Sequence, residues 1–234
     1  MFIYFIAILL VMFMWIQCYS TSDLEIFENK KKKCCYYAAS ILVLIAALRG
    51  SSVGTDTASY IRDFSLVKGF SYSYILERYA DNPGYYLFCK FIADLGVSVQ
   101  IWFAIIAGLY IYSINKLIRK CSEDPGFSYL LFITMGFYSF SLAGLKQTLA
   151  MTFTQLAYVY LFDRKYFRVS IYMLLAVFCH LSSIVFLLAL IIHFMKHSKR
   201  YYLFLSIISI VWVVGFSTIT SKILSFLGNE HYSS

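Results

Sequence analysis

The chain has 234 residues, of which 61% are hydrophobic, 20% are aromatic and only 14% are charged. In a soluble domain about a quarter of the residues are charged. This composition and the mean hydropathy of +0.72 therefore exclude an ordinary water-soluble enzyme and predict an integral membrane protein. The net charge of +8 comes from short basic clusters between apolar runs, which is typical of membrane loops and argues against a nucleic-acid partner.

The apolar runs predict an all-α fold. They are rich in Ile, Leu, Phe and Tyr and the chain has only two prolines, which favours helices over a barrel, whose strands need alternating polar residues. We expect a polytopic integral membrane protein with roughly 7–8 membrane helices and an outer-face region of amphipathic helices. Residues 1–234 are expected to form a single membrane domain.

The first two predicted membrane helices cover residues 2–19 and 36–48. The loop between them ends in Lys30, Lys31, Lys32 and Lys33. The positive-inside rule places this loop in the cytoplasm and the N-terminus outside. The second helix then returns outward, and its outer end lies at Arg49.

Residues 49–96 form a predicted extracytoplasmic and interfacial segment. Aromatic and aliphatic residues recur in it at helical spacing, with charged residues between them, which predicts amphipathic helices at the membrane surface. Pro83 is expected to open a short helix through Tyr85–Leu95, because proline suits the first turn of a helix. The apolar positions are Tyr60, Phe64, Val67, Tyr72, Ile75, Leu76 and Tyr79.

The remaining predicted membrane helices cover 97–115, 127–143, 147–162, 169–195 and 201–220. Residues 169–195 are ambiguous, because basic clusters flank both ends. They form either a hairpin of two short helices that turns near His180 or a single tilted helix. In this topology most basic residues lie in inner loops, namely Lys30–Lys33, Lys116, Arg119, Lys120, Arg164, Lys165, Arg168, Lys196, Lys199 and Arg200.

The polar stretch from Arg49 to Tyr60 is unusual in so apolar a chain. Arg49 is either a snorkelling arginine that ends a helix or a clamp for an anion, since a guanidinium group matches phosphate oxygens in a bidentate way. Asp56 is either the N-cap of a following helix or a carboxylate that binds sugar hydroxyls or acts as a general base.

Two later residues are further candidates. Lys146 is placed on the outer side, against the positive-inside trend, and its ammonium group suits a phosphate. His180 is either a structural histidine or an acid, a base or a phosphate contact. The six cysteines show no CxxC spacing, so we predict no metal site and no cofactor.

Several motifs in this chain resemble those of the EpsG family of bacterial membrane proteins, which are Wzy-like polysaccharide polymerases. They occur in the family's order from about residue 40 to 190, and the Gly-Thr-Asp-Thr segment is the specific one among them. The motifs are Arg49-Gly50, Val53-Gly54-Thr55-Asp56-Thr57 with Tyr60, Pro83-Gly84-Tyr85, Gln147-x-x-Ala150 and His180-x-Ser182.

The chain departs from the family pattern in three ways. Members usually have an acidic residue in place of Asn82, and this puts a carboxylate role at that position in doubt. They usually have an arginine in place of Lys146, so the charge is kept and the bidentate fork is lost. Family members are also usually longer, and we therefore expect this chain to be a truncated member.

The resemblance implies a glycosyltransferase-type polymerase of capsular, O-antigen or exopolysaccharide biosynthesis in the bacterial cytoplasmic membrane. Such an enzyme transfers the growing glycan from polyprenyl diphosphate to a sugar hydroxyl of the next lipid-linked unit, at the outer face. The implied partners are this lipid-linked oligosaccharide, membrane lipid and other polysaccharide-assembly proteins. Neither a metal ion nor another cofactor is expected.

We assign expected roles to nine residues on this basis. Arg49, Asp56 and His180 are the candidate catalytic residues, because cations stabilise a leaving diphosphate and a carboxylate suits an acceptor hydroxyl. The candidate substrate-binding residues are Gly54, Thr55, Tyr60, Tyr85, Lys146 and Gln147.

Two other functions fit the same sequence. One is a transporter or flippase of lipid-linked glycan, in which Arg49 and Lys146 line a passage; broken helices at the membrane midplane would favour it. The other is a non-catalytic membrane subunit of a polysaccharide-export assembly. Long outer segments with interfacial aromatic residues favour the polymerase.

Overall fold

The computed structural model describes residues 2–19, 24–194, 198, 201–211 and 215. These residues are predominantly helical, and no β-strand occurs among them, so the expected all-α class is confirmed. The chain divides into two compact units, Met1–Phe186 and Leu187–Ser234. In the second unit the described residues form α11 (Leu187–Phe194) and a helix over 201–211.

The first unit contains the candidate residues. Its described helices are α1 (Phe2–Tyr19), α2 (Leu24–Ala47), α3 (Thr57–Val67), α4 (Tyr72–Arg78), α5 (Pro83–Asp94), α6 (Val99–Cys121), α7 (Pro125–Thr134), α8 (Phe137–Ala143), α9 (Leu145–Phe162) and α10 (Tyr166–Cys179), followed by a 3₁₀-helix at Leu181–Phe186.

Three helices differ from the boundaries expected from the sequence. The lysine cluster lies inside α2, which begins at Leu24, well before the predicted start at residue 36. Residues 127–143 are divided into α7 and α8, which meet at a 52° bend; Gly136 allows this break because its φ of 84° is easily adopted only without a side chain. Residues 169–195 are not one continuous helix, because α10 ends at Cys179.

The number of membrane spans stays a prediction. Within the described residues, α6 is long and apolar enough to cross a membrane by itself, and α7 with α8 would provide a second span if the bent pair crosses as one. The other apolar helical stretches of the described residues are only 10–17 residues long: Phe5–Gln17, Tyr166–Cys179, Leu181–Phe194 and Tyr201–Val211.

Helix α6 lies at the centre of the first unit and contacts α2 on one side and α9 on the other, while α9 also packs against α10. Apolar residues of α3, α5 and the first turns of α6 and α9 form one core cluster. Trp102 is fully buried in it and stacks on Phe64, with ring centroids 4.4 Å apart. Removing a buried aromatic ring of this kind typically costs about 3–5 kcal/mol.

Within the first unit, the described basic residues predicted to face the cytoplasm gather at one end of these helices; Lys196, Lys199 and Arg200 lie outside the described residues. Near the C-terminus of α6, Lys116 donates to the Tyr160 hydroxyl at 2.9 Å, and Lys120 pairs with Asp163, just after α9. The starts of α6 and α9 and the end of α10 lie at the opposite end, about 33 Å away along α6. The candidate motifs occur at that second end.

Candidate functional site

The turn between α2 and α3 is held against the end of α8. Gly54 has a φ of 95°, and a Cβ atom there would stand 2.7 Å from the Leu142 carbonyl oxygen. Thr57 is fully buried, and its hydroxyl lies 2.6 Å from the Val53 carbonyl oxygen and 3.4 Å from that of Leu142. Only glycine combines this backbone conformation with so close an approach.

Asp56 occupies the N-cap position of α3, but its side chain makes no capping hydrogen bond. The carboxylate is exposed, as is the neighbouring Thr55. Asp56 therefore lies where an N-cap residue is expected, but its side chain does not cap the helix. The carboxylate is accessible to a ligand at this surface.

Arg49 is buried, with 6% of its surface exposed. The guanidinium carbon lies 4.2 Å from the centre of the Phe103 ring, in the second turn of α6. This is cation–π geometry, which gains strength where water is excluded. The snorkelling interpretation is thus wrong for this conformation, since the charged group packs on an aromatic ring inside the protein.

Lys146 lies in the first turn of α9, over two tyrosine rings. Its Nζ is 4.7 Å from the centre of the Tyr86 ring and 5.9 Å from that of Tyr60. The Tyr60 hydroxyl lies near the backbone N–H groups of Leu145 and Lys146, and burial raises the pKa of this phenol. The first N–H groups of α9 are therefore directed at the Tyr60 hydroxyl, and the ammonium group of Lys146 is the cation at this helix start.

The tyrosines below Lys146 belong to the core. Tyr60 and Tyr86 are buried, and Tyr85 is only 1% exposed. Tyr86 donates to Asp63 at 3.2 Å and stacks on Tyr79 with centroids 3.7 Å apart. In this conformation Tyr60 and Tyr85 do not offer a ring face to a sugar, and they support the site from beneath.

His180 follows the last turn of α10 and contacts the start of α5. Its Nδ1 lies 2.5 Å from the Asn82 side-chain oxygen. The two helices approach closely here, because a Cβ at Gly84 would meet the Phe178 backbone oxygen at 2.8 Å. The pKa of His180 is lowered from its ordinary value, mainly by burial and to a smaller extent by the positive charge of Lys146.

Gln147 lies one residue beyond Lys146 and is half-buried. Its Oε1 is enclosed and accepts no hydrogen bond from the described residues. Leaving a buried acceptor unpaired costs about 1–3 kcal/mol, and such groups are rare in native proteins without a functional reason. This oxygen is suited to accept a hydrogen bond from a ligand.

The structure unites most of the predicted residues but adds others. Asp56 and Lys146 both lie near Tyr60, and Lys146 influences His180, whereas Arg49 joins the same core through Phe103. Asp63 and Asn82 are site residues that the sequence alone did not select. The Asn-Pro-Gly motif was the one available signal, and it suggested a turn. Asp63 accepts a hydrogen bond from the Tyr86 hydroxyl, and Asn82 contacts His180.

The chain was compared with models of known protein families, with curated proteins and with solved structures. The model of the EpsG family matches residues 32–234, which include every candidate residue. The chain belongs to the EpsG family. No curated protein and no solved structure matches it. Membership in the EpsG family supports a membrane protein of polysaccharide biosynthesis, with a lipid-linked saccharide as the general class of substrate.

Proposed function

We propose that this EpsG-family protein is a multi-pass polymerase of lipid-linked oligosaccharide repeat units, active at the outer face of the bacterial cytoplasmic membrane. One observation carries the proposal. Motif segments far apart in the chain meet at the helix ends opposite the described basic residues, where His180 contacts Asn82 and the Lys146 ammonium group lies over the Tyr86 ring. The product class is capsular, O-antigen or exopolysaccharide.

The cations of this site suit the diphosphate of the donor. As the glycosidic bond to polyprenyl diphosphate breaks, negative charge grows on the leaving phosphate oxygen, and preorganised cations lower the energy of that state. Lys146, in the first turn of α9, provides such a cation, and the enclosed Oε1 of Gln147 beside it is suited to a sugar hydroxyl of the donor. Arg49, already stacked on Phe103, is the second cation of the proposed site.

The acceptor side is assigned to the exposed turn before α3. The acceptor hydroxyl oxygen attacks the anomeric carbon of the growing glycan, a new C–O bond forms, and the bond to the diphosphate breaks with its electron pair on phosphate. The hydroxyl proton passes to the Asp56 carboxylate, which makes no capping bond and is exposed. Gly54 and Thr55 line this turn, and His180 is the third catalytic candidate.

The first test compares lipid-linked sugars in cells with and without the gene. A polymerase predicts that single repeat units accumulate on the outer leaflet when the gene is deleted. Retention on the inner leaflet would instead identify a flippase. Unchanged unit transfer with loss of export alone would identify a non-catalytic subunit of an export assembly.

Complementation of the deletion then tests the residues. Arg49→Ala and Asp56→Ala should abolish polymer while the protein still inserts in the membrane. Matched controls are Arg62→Ala and Asp81→Ala, which remove the same charges from exposed positions of the same segment and should leave polymer unchanged. Normal polymer from both site variants would refute the site assignment.

A further inference from the structure

The contact between His180 and Asn82 brings together residues 98 positions apart in the chain. His180 has an extended backbone, with φ −160° and ψ 116°, directly after α10. Its backbone N–H bonds to the Ala176 carbonyl oxygen at 2.9 Å, so the residue is fixed to the last turn of that helix. Asn82 stands at the N-cap position of α5 but makes no capping bond with its side chain.

The Asn82 side chain therefore bonds to His180 and does not cap its own helix, α5. The adjacent Gly84 lets α5 reach the backbone of α10, since any Cβ there would collide with Phe178. This close approach sets the distance between the two side chains. A side-chain N-cap stabilises a helix, and its absence at the start of α5 indicates that the Asn82 side chain serves another role.

The chemistry of the contact determines which histidine nitrogen holds the proton. The Asn82 oxygen is an acceptor only, so the facing Nδ1 must donate and carry the hydrogen. In a neutral imidazole the other nitrogen, Nε2, is then an acceptor. Nε2 makes no hydrogen bond with the described residues.

Lys146 on α9 is the charged group that acts on His180 in the described structure, and α5 meets the ring with the uncharged Asn82. A nearby cation and partial burial both favour the neutral ring over the imidazolium. A neutral ring with a lone pair on Nε2 does not suit phosphate oxygens, which themselves need donors. It suits a hydroxyl group.

We infer that Asn82 is a positioning residue that holds His180 in the Nδ1–H tautomer, so that Nε2 accepts a hydrogen bond from a sugar hydroxyl of the acceptor. The inference rests on the proposed function for the identity of the ligand. It assigns His180 to the sugar and leaves the diphosphate to Lys146 and Arg49. The hydroxyl that it binds is not the attacking one, whose proton passes to Asp56.

The tautomer can be measured without any assay of polymerisation. Full-length protein is labelled with ¹⁵N-histidine, reconstituted in lipid and examined by solid-state NMR at neutral pH. The His180→Gln variant identifies the signal of His180 among the four histidines. We expect Nδ1 protonated and Nε2 unprotonated; a ring protonated at Nε2, alone or together with Nδ1, would overturn the inference.

Two substitutions at Asn82 extend the test. Asn82→Asp keeps the acceptor and should keep Nδ1 protonated. Asn82→Leu keeps the approximate size without an acceptor and should give a mixture of tautomers and about tenfold less polymer, as expected for one lost hydrogen bond in the reacting complex. Equal NMR spectra for the wild type and Asn82→Leu would overturn the inference, and should Asn82→Leu not insert, loss of Nδ1 protonation in Asn82→Asp would do so.

The two proposals fail in different ways. If the deletion strain shows no defect in repeat-unit transfer but His180 has the expected tautomer, the proposed function fails and the positioning role of Asn82 stands. If polymer depends on Arg49 and Asp56 while His180 is protonated at Nε2, the function stands and the inference fails. Asp81→Asn, next to Asn82 and exposed, is the control expected to change neither result.

Discussion

The ammonium group of Lys146 lies 4.7 Å from the centre of the Tyr86 ring, and the hydroxyl of that ring donates to Asp63 at 3.2 Å. The lysine is thus placed at the start of α9 by a tyrosine of α5, which is itself held by a carboxylate of α3. Three helices from two distant parts of the chain fix one cation. Such support reduces the reorganisation needed when charge develops on a substrate.

We expect Lys146→Met to lower polymer formation by at least about a hundredfold, because it removes a cation that stabilises the leaving diphosphate. Tyr86→Phe keeps the ring under the ammonium group and should lower polymer by less than about tenfold, the scale of one hydrogen bond. Polymer is quantified in the complemented deletion strain at equal protein levels. Lys68→Met, at an exposed position of the same outer segment, is the control; an equal loss from this variant would show that net charge alone matters.

Gly84→Ala should destabilise the protein by about 1–3 kcal/mol, since the added Cβ would lie 2.6 Å from the Phe178 ring and 2.8 Å from its carbonyl oxygen. Thermal unfolding in detergent measures the effect. Gly108→Ala is the matched control, because nothing lies within 4 Å of a Cβ at that position, and alanine in a helix is favoured by about 1 kcal/mol. If both variants unfold at the same temperature, α5 and α10 do not approach each other as described.

Asp56→Ala should change the free energy of unfolding by less than about 0.5 kcal/mol, because the carboxylate makes no capping bond. Asp124→Ala should cost about 1 kcal/mol, since its side chain accepts from the Phe127 N–H at 3.0 Å at the start of α7. Denaturant or thermal unfolding of both variants distinguishes the two cases. A similar loss at Asp56 would support a capping role and weaken its assignment as a base.

The pKa of His180 predicts a pH dependence of stability. Burial and the charge of Lys146 hold this pKa below the ordinary 6.5 in the folded protein. At pH values between the folded-state pKa and the unfolded-state pKa, the unfolded chain therefore binds more protons than the folded one. Stability is therefore retained above the unfolded pKa and lost as the pH falls toward the folded pKa.

Wild-type protein should lose more thermal stability than His180→Gln as the pH is lowered from about 7 to about 5. The difference between the two proteins cancels the contributions of the other histidines. The exposed Asp94 and the half-buried Asp163 have pKa values lowered from 3.8 by their lysine partners, so their contributions disappear only at more acid pH. Parallel stability curves in this range would contradict the lowered pKa of His180.

Much of the helical content could be predicted from local sequence patterns. The helix boundaries that were predicted wrongly also have local causes. Pro83 does open α5, as expected, because proline fits a first helical turn. The lysine cluster does not lie in a loop before the second helix, as was expected, because lysine is a good helix former and α2 continues through it. The break at Gly136 was missed because a single glycine in an apolar run gives a weak signal.

The all-α class, the EpsG resemblance and the types of charged group in the candidate site can be read from the amino-acid sequence without a structure. Composition and motif order are properties of the chain, and they need no knowledge of which segments touch. The packing of Arg49 on Phe103 and the contact of Asn82 with His180 are visible only in the folded protein. Such contacts depend on helices from distant parts of the chain and on the small size of Gly84, which lets two of them approach.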